Sequence, residues 1–447
     1  MISLAGVIGA GLFVGSAHAI QLAGPAAIIS YAAAGLVVVL VMRMLGEMAT
    51  VNPDTGSFSV YADRALGRWA GFSIGWLYWW AWALIIPVEA TAGAQILTTW
   101  FDWPQWVFAL LITAVLTGTN LVSVGNYGEF EFWFALIKVV VIVGFIVLGV
   151  LAILGLLPHS PVSGVHGLFD HGFFAHGIGG VFAAMLTTTT TYLGTEIVTI
   201  AAAESDHPVS GIRKAVNSVI WRISLFYLGS VFVVVALVDW TRPELAQVGS
   251  YQFTLDSIGL GGLTTVLDLA ILTAVASCLN SALYTASRMA FSLAQRGDAP
   301  AAFARTSSRG VPVAAILASV VVGFACVVLN YVLPDRIFGY LLSTAGCAAL
   351  FVYLCISFTQ LRSRRALDAA GMRSGVRMWL FPWLTYATIA FILLVLVMMA
   401  FDPEQAQNLW FSLIVLAVVL AAGFWRHGFT GGSDRAIVAA AEAQEHV

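Results

Sequence analysis

What most constrains this chain is a series of uninterrupted apolar runs, each about twenty residues long, recurring from one end of the sequence to the other. A helix of about 20 residues crosses the hydrocarbon core of a bilayer. A lipid-facing strand would alternate apolar and polar residues, and these runs do not alternate. Inside lipid, each segment must also satisfy its own backbone N–H and C=O groups, which a helix does. The expected fold class is therefore all-α integral membrane. Composition agrees, with 60% hydrophobic and only 10% charged residues, against about 25% charged in soluble domains.

Twelve runs can be read, at about 2–20, 24–49, 70–99, 104–122, 130–157, 177–201, 215–238, 262–292, 312–332, 338–359, 378–400 and 407–425. They make a single transmembrane domain over 1–447, with helices 1–5 in about 2–157, helices 6–10 in about 177–359, helices 11–12 in about 378–425 and a tail at 426–447. Of the 20 Lys and Arg residues, sixteen follow even-numbered runs or lie in the tail, and only Arg242 and Arg336 lie on the opposite side. Basic residues accumulate in short cytoplasmic loops, so both termini are expected in the cytoplasm, on a cell-membrane protein of many crossings. The cytoplasmic connections include an amphipathic stretch at 52–69.

No basic, aromatic-interleaved soluble segment points to nucleic acid. The four cysteines, Cys278, Cys326, Cys347 and Cys355, lie in apolar runs without metal-ligand spacing and read as buried thiols. His159, His166, His171 and His176 share an outer loop with no helical i, i+4 pair, so a solvated loop is expected and no metal. No nucleophile–base pair marks an enzyme. The first run is broken by glycines and lacks a basic flank, unlike a secretory signal. Only seven or eight residues precede its glycine break, and a start further upstream is expected.

That run reads GVIGAGLFVG over 6–15. Glycine costs a helix interior about 1 kcal/mol against alanine, so Gly6, Gly9, Gly11 and Gly15 weaken it. Small residues at this spacing also let helices pack closely. The alternative is an unwound stretch at mid-membrane, whose free N–H groups at the positive end of a half-helix bind a carboxylate. A matching break five runs later, TTTTTYLGTEIVT over 187–199, favours the second reading. Paired breaks in two halves of a chain mark an inverted-repeat transporter with its site between the halves. An amino acid fits such a site: its carboxylate takes amides near Gly9, Ala10 and Gly11, and its ammonium takes carbonyls freed in both breaks.

Four ionisable residues fall within the runs: Glu89, Lys138, Glu196 and Asp268. Facing lipid, each would cost about 2.5–3.5 kcal/mol or more, so they should face the bundle. Lys138 has no acid within one turn of it on its own run and reads as a proton carrier, a fixed cation, or the static partner of Glu89. Glu196 reads as a cap on its half-helix or as a substrate contact, and Asp268 as interfacial. SCLNSALYTASR over 277–288 sets Ser277, Asn280, Ser281 and Tyr284 at helical spacing, as helix glue or as part of the site. The cluster WLYWWAW over 76–82 reads as packing or an interface belt.

GVIGAGLFVGS, MRMLGEMA, NPDTGSFSVYADRALGRWAG, NYGEFEFWFALIK, GTEIVTIAAAES and NSALYTASRM together resemble the amino acid transporter family of the amino acid–polyamine–organocation superfamily. The likeness runs from Ile2 to about Arg426. IGWLYWW, EIVTIAAAESD, NSVIWRISLFYLGSVFVVVALV and SCLNSALYTASRM are most similar to its bacterial 4-aminobutyrate (GABA) branch. The resemblance implies a five-plus-five inverted repeat like that of the leucine transporter, with helices 1 and 6 broken. It also implies import of a small amino acid, GABA first, by proton symport with no cofactor; an aromatic amino acid or proline, or exchange, is the alternative. Residue by residue, it implies a carboxylate site at Gly9, Ala10 and Gly11 and an amine site at Thr190, Thr191, Tyr192 and Gly194. Lys138 takes the place of the proton-coupling lysine, with Glu89 as its partner. The chain departs from the family at Thr189 and Thr190, where aromatic or bulky residues are usual, and it lacks the relatives' basic N-terminal segment.

Overall fold

The computed structural model describes residues 8–53, 57–122, 127–197, 199, 208–332 and 336–445, and among these there is no strand. Gly6, part of the amphipathic stretch, and the end of the sixth run lie outside the described residues. The helices, in chain order, are α1 (Ala10–Phe13), α2 (Gly15–Ala23), α3 (Ala27–Val51), α4 (Ser57–Leu66), α5 (Arg68–Trp100) and α6 (Gln105–Val122). Next come α7 (Tyr127–Ile153), α8 (Gly177–Thr191), α9 (Pro208–Arg222), α10 (Gly229–Leu237), α11 (Glu244–Val248) and α12 (Ser250–Ser257). The last six are α13 (Thr264–Gln295), α14 (Val313–Val332), α15 (Ile337–Ala369), α16 (Trp383–Phe401), α17 (Pro403–His427) and α18 (Asp434–Glu445). Among the described residues, nine stretches are long and apolar enough to cross a membrane, and 105–121 is a shorter apolar helix. Every run read from the sequence coincides with at least one helix.

Two helices form the axis of the bundle. Over their most apolar stretches α5 and α15 are 83% buried, whereas α7, α16 and α17 are 28%, 33% and 22% buried. The outer helices expose rows of large apolar side chains, such as Val140, Val143, Val147 and Val150 on α7 and Leu393, Leu394 and Val397 on α16. So much exposed apolar surface suits lipid and not water. α5 packs on α13, α15, α6 and α4, while α8 packs on α2, α3 and α15. Pro87 lies inside α5, where it has no N–H to give the carbonyl one turn back. A π-helical turn at Ile223–Leu228 joins α9 to α10, and nothing in the sequence pattern announced it.

The arginine-rich face is tied together by polar contacts. Arg364 on α15 pairs with Glu47 on α3. The Glu47 carboxylate also accepts from Gln360 Nε2 at 2.7 Å, the Met378 amide at 3.2 Å and Ser374 Oγ at 3.3 Å. A second knot centres on Asp298, reached by His427 at 2.9 Å and Arg68 at 3.6 Å, with Arg296 donating to Ser59 Oγ at 2.6 Å. Burial pushes the nearby Asp63 carboxyl on α4 up from its ordinary value, against the pull of Arg296 and Arg68. α18 caps this face, setting Ile437 and Ala441 on Ala65, Ala366 and Leu367.

The opposite face is hollow. Cavities of about 340 Å³ and 510 Å³ lie side by side there and share Val14, Gln95 and Ala246. Asp268, which accepts from Gln252 Nε2 at 2.9 Å, borders the first cavity. Asp268 thus lies at a cavity mouth, half-buried. In the outer loop the histidines do not converge. His171 lies 3.4 Å from Asp239 and His176 packs edge-on against Trp240.

Candidate functional site

The site begins where α1 begins. Gly9 is extended (φ −137°, ψ −152°) and no side chain of its own segment caps the helix. The first amides of a helix have no partner within it. Here the partner comes from another helix: the Ala10 N–H donates to both oxygens of Glu89, at 3.1 Å and 3.0 Å. Glu89 is 2% exposed and lies one turn or less beyond Pro87 on α5. A carboxylate at a helix N-terminus is favoured by the helix dipole as well as by the hydrogen bond.

The glycines of the first run have separate reasons. A Cβ at Gly9 would run into Glu89 Oε1 and come within 2.7 Å of Cys278 Sγ. At Gly11 it would sit 3.0 Å from the Thr191 Cα, and at Gly15 3.0 Å from Leu342 Cδ2. Gly9 thus lies in extended backbone ahead of α1, while Gly11 and Gly15 serve close helix packing.

The second break follows α8. Tyr192 to Glu196 form turns, and Gly194 has φ +104°, a conformation side chains rarely adopt. The Gly194 N–H donates to both oxygens of Glu196, each at 3.1 Å. Glu196 is fully buried, with Tyr78 and Tyr353 near it, so the geometry is that of a cap. The two breaks meet through Thr191, whose hydroxyl donates to Gly11 O at 3.1 Å. The Thr190 hydroxyl donates to Leu342 O on α15 at 2.6 Å.

Between the breaks lies a cavity of about 20 Å³ lined by Gly9, Gly11, Trp82, Ile85, Val88, Glu89, Thr190, Thr191, Leu193, Cys278 and Leu342. That is room for about one water, so the site is closed in this conformation. Beside it, Lys138 is 1% exposed and donates to Ser277 Oγ at 3.1 Å. It is near enough to Glu89 for the charges to attract, and the Cys278 thiol is hydrogen-bonded to the same carboxylate.

Of the residues named from the sequence, Gly9, Gly11, Thr190, Thr191 and Glu89 line the cavity, and Ala10 borders it through its amide. Tyr192 turns away: its hydroxyl donates to Tyr31 O at 3.0 Å and its ring packs on Tyr227. Gly194 is taken up by Glu196. Asn280 meets Asn120 of α6, whose Nδ2 donates to its Oδ1 at 2.5 Å. Ser281 is buried and does not line the cavity. The residue of α13 that does is Cys278, read from the sequence as a buried thiol and found buried. Trp82, from the cluster read as packing or an interface belt, is also a wall. No spacing signal pointed to Cys278: Ser277, Asn280, Ser281 and Tyr284 share one face of α13, and Cys278 lies about 100° round the helix from Ser277.

The amino acid permease family model matches residues 1–430. The chain is 55% identical to a "Probable GABA permease" of Pseudomonas aeruginosa over 426 residues, covering 95% of this chain and 90% of that one. It is 55% identical to a gamma-aminobutyric acid permease of Escherichia coli over 407 residues, covering 91% and 87%. An aromatic amino acid transport protein of Corynebacterium glutamicum is 40% identical over 428 residues, covering 95% and 92%. With a match of that extent and the apolar helices described above, the chain belongs to the amino acid permease family and is a multi-pass membrane protein.

Proposed function

We propose that this protein imports a small amino acid, GABA first, by proton symport with alternating access. The observation that carries the reading is the meeting of two helix breaks at one closed cavity, with a backbone amide, a buried carboxylate and a buried lysine beside it. The substrate's carboxylate takes the Ala10 amide and its ammonium takes carbonyls at the breaks. The methylene chain of GABA suits the apolar walls Ile85, Val88 and Leu342. The names of the two relatives at 55% identity support the same substrate. In this reading twelve helices cross the membrane as two inverted sets of five with two appended, and both termini are cytoplasmic. The proton gradient supplies the energy, with no cofactor, and Lys138 and Glu89 carry the coupling.

Uptake of labelled GABA into proteoliposomes under an imposed pH gradient tests this, with unlabelled amino acids as competitors. An aromatic amino acid that competes better than GABA would move the substrate toward the more distant relatives. Uptake that needs internal amino acid and ignores the gradient would make the protein an exchanger. Lys138→Ala is expected to abolish accumulation against a gradient while sparing binding. Normal accumulation in that variant would take the lysine out of the mechanism.

A further inference from the structure

The Ala10 amide is claimed twice. In the reading above it receives the substrate's carboxylate, and in the structure it is held by both oxygens of Glu89. The cavity beside it, about 20 Å³, cannot hold a second carboxylate while the first stays. Nor can Glu89 shift toward Gly9, since that glycine is already packed against it and Cys278. We propose that Glu89 is an internal stand-in for the substrate's carboxylate, and that substrate binds by displacing it from the Ala10 amide. This rests on the amino acid transporter reading and deepens it, because displacement makes the protonation of Glu89 a condition of binding.

Among the described residues, these groups are placed around Glu89. From α1 comes the Ala10 amide, from α13 the Cys278 thiol with Ser277 behind it, and from α7 the Lys138 ammonium. From α8, Thr190 and Thr191 face the cavity with neutral hydroxyls, and α15 offers the apolar Leu342. Two anions at one amide repel each other across a site without water to screen them. The displaced Glu89 therefore takes up one proton on its carboxylate as the substrate's anion arrives. The number of carboxylates near Lys138 is then the same before and after binding, one in each case, while the substrate's ammonium goes to the carbonyls at the breaks. One proton is bound with each substrate and released when Glu89 returns to the amide. An empty site is closed by its own carboxylate, which also explains why the cavity is so small.

The test is equilibrium exchange of labelled GABA in proteoliposomes of the full-length protein, with the apparent affinity measured from pH 5 to pH 8. For the wild type, affinity is expected to weaken as pH rises, by up to roughly tenfold per unit where Glu89 ionises, the limit for one linked proton. Glu89→Gln should flatten that dependence, because a neutral side chain has no proton to gain. A slope that persists in Glu89→Gln overturns the stand-in, as does an affinity that falls at every pH. If that variant does not fold, Ala10→Pro removes the contested N–H at the first helical position, which proline tolerates. It should lower affinity and lose the slope, and a retained slope overturns the proposal. Wild-type liposomes that exchange no amino acid at any pH overturn the transporter reading itself. A wild type that exchanges normally but without a pH slope overturns only the stand-in.

Discussion

The two ends of the bundle are built on opposite principles. On the arginine-rich face, buried ion pairs and hydrogen bonds join α3, α15 and the loops around Asp298 and Met378. On the other face, α2, α5, α11 and α15 stand apart around two cavities that reach down to Val14. A cluster of directional bonds either holds or lets go. An open cavity has nothing to release. The contrast teaches that, in this conformation, the arginine-rich side is closed by directional bonds, while the opposite side is hollow down to Val14, one turn past Ala10.

The largest expected effect breaks the closed side. Arg364→Ala leaves Glu47 buried without its cation, a loss of about 3–5 kcal/mol for such pairs, read as a lower melting temperature in detergent. The same variant should let a maleimide reach Cys278 from the arginine-rich face once the other three cysteines are replaced. Replacing both Glu47 and Arg364 by leucine should recover part of the stability, and a double variant as unstable as the single one would show that the pair is not what holds this end. On the open side, Ala246→Trp fills the wall shared by both cavities and should slow uptake severalfold with little change in melting. Unchanged uptake would mean that substrate does not enter between them. The smallest effect concerns Asp63→Asn. Burial raises that carboxyl, so its ionisation opposes the folded state, and the native residue loses stability as pH rises through its folded value. The variant should melt equal to or slightly above the native protein near pH 8, with the difference gone below about pH 4, where the unfolded carboxylate is itself protonated. A variant that melts lower at pH 8 would show that the Arg296 and Arg68 contacts outweigh burial.

This contrast was partly legible in the sequence. Arginine spacing pointed to the charged face, but not to the Glu47–Arg364 pair, since 317 positions separate its members and neither belongs to a spacing motif. The extended backbone at Gly9 could be anticipated because glycine weakens a helix wherever it stands. Its partner could not, because Glu89 reaches Ala10 across 79 positions. Asn280 and Ser281 were named for their polarity, while the wall residue beside them, Cys278, is nearly apolar. Polarity marks the groups that need a partner, and in α13 Asn280 finds one in Asn120. Tyr192 looked like a site residue for its hydroxyl, which the carbonyl of Tyr31 had already claimed.

One joint carries a further meaning. At Gly346 a Cβ would strike the Leu186 carbonyl and Thr190 Oγ1, so α15 and the end of α8 touch backbone to backbone, pinned by the bond from Thr190 to Leu342 O. A joint with no side chain on the Gly346 side has little slack. Leu342 and Arg364 are 22 residues apart on the same helix, about 33 Å along a rigid rod. The rod is thus fastened at one end to the second break and at the other to the Glu47 ion pair. Unlatching the arginine-rich end would pull directly on the far end, so the Glu47 ion pair and the second break are mechanically one element.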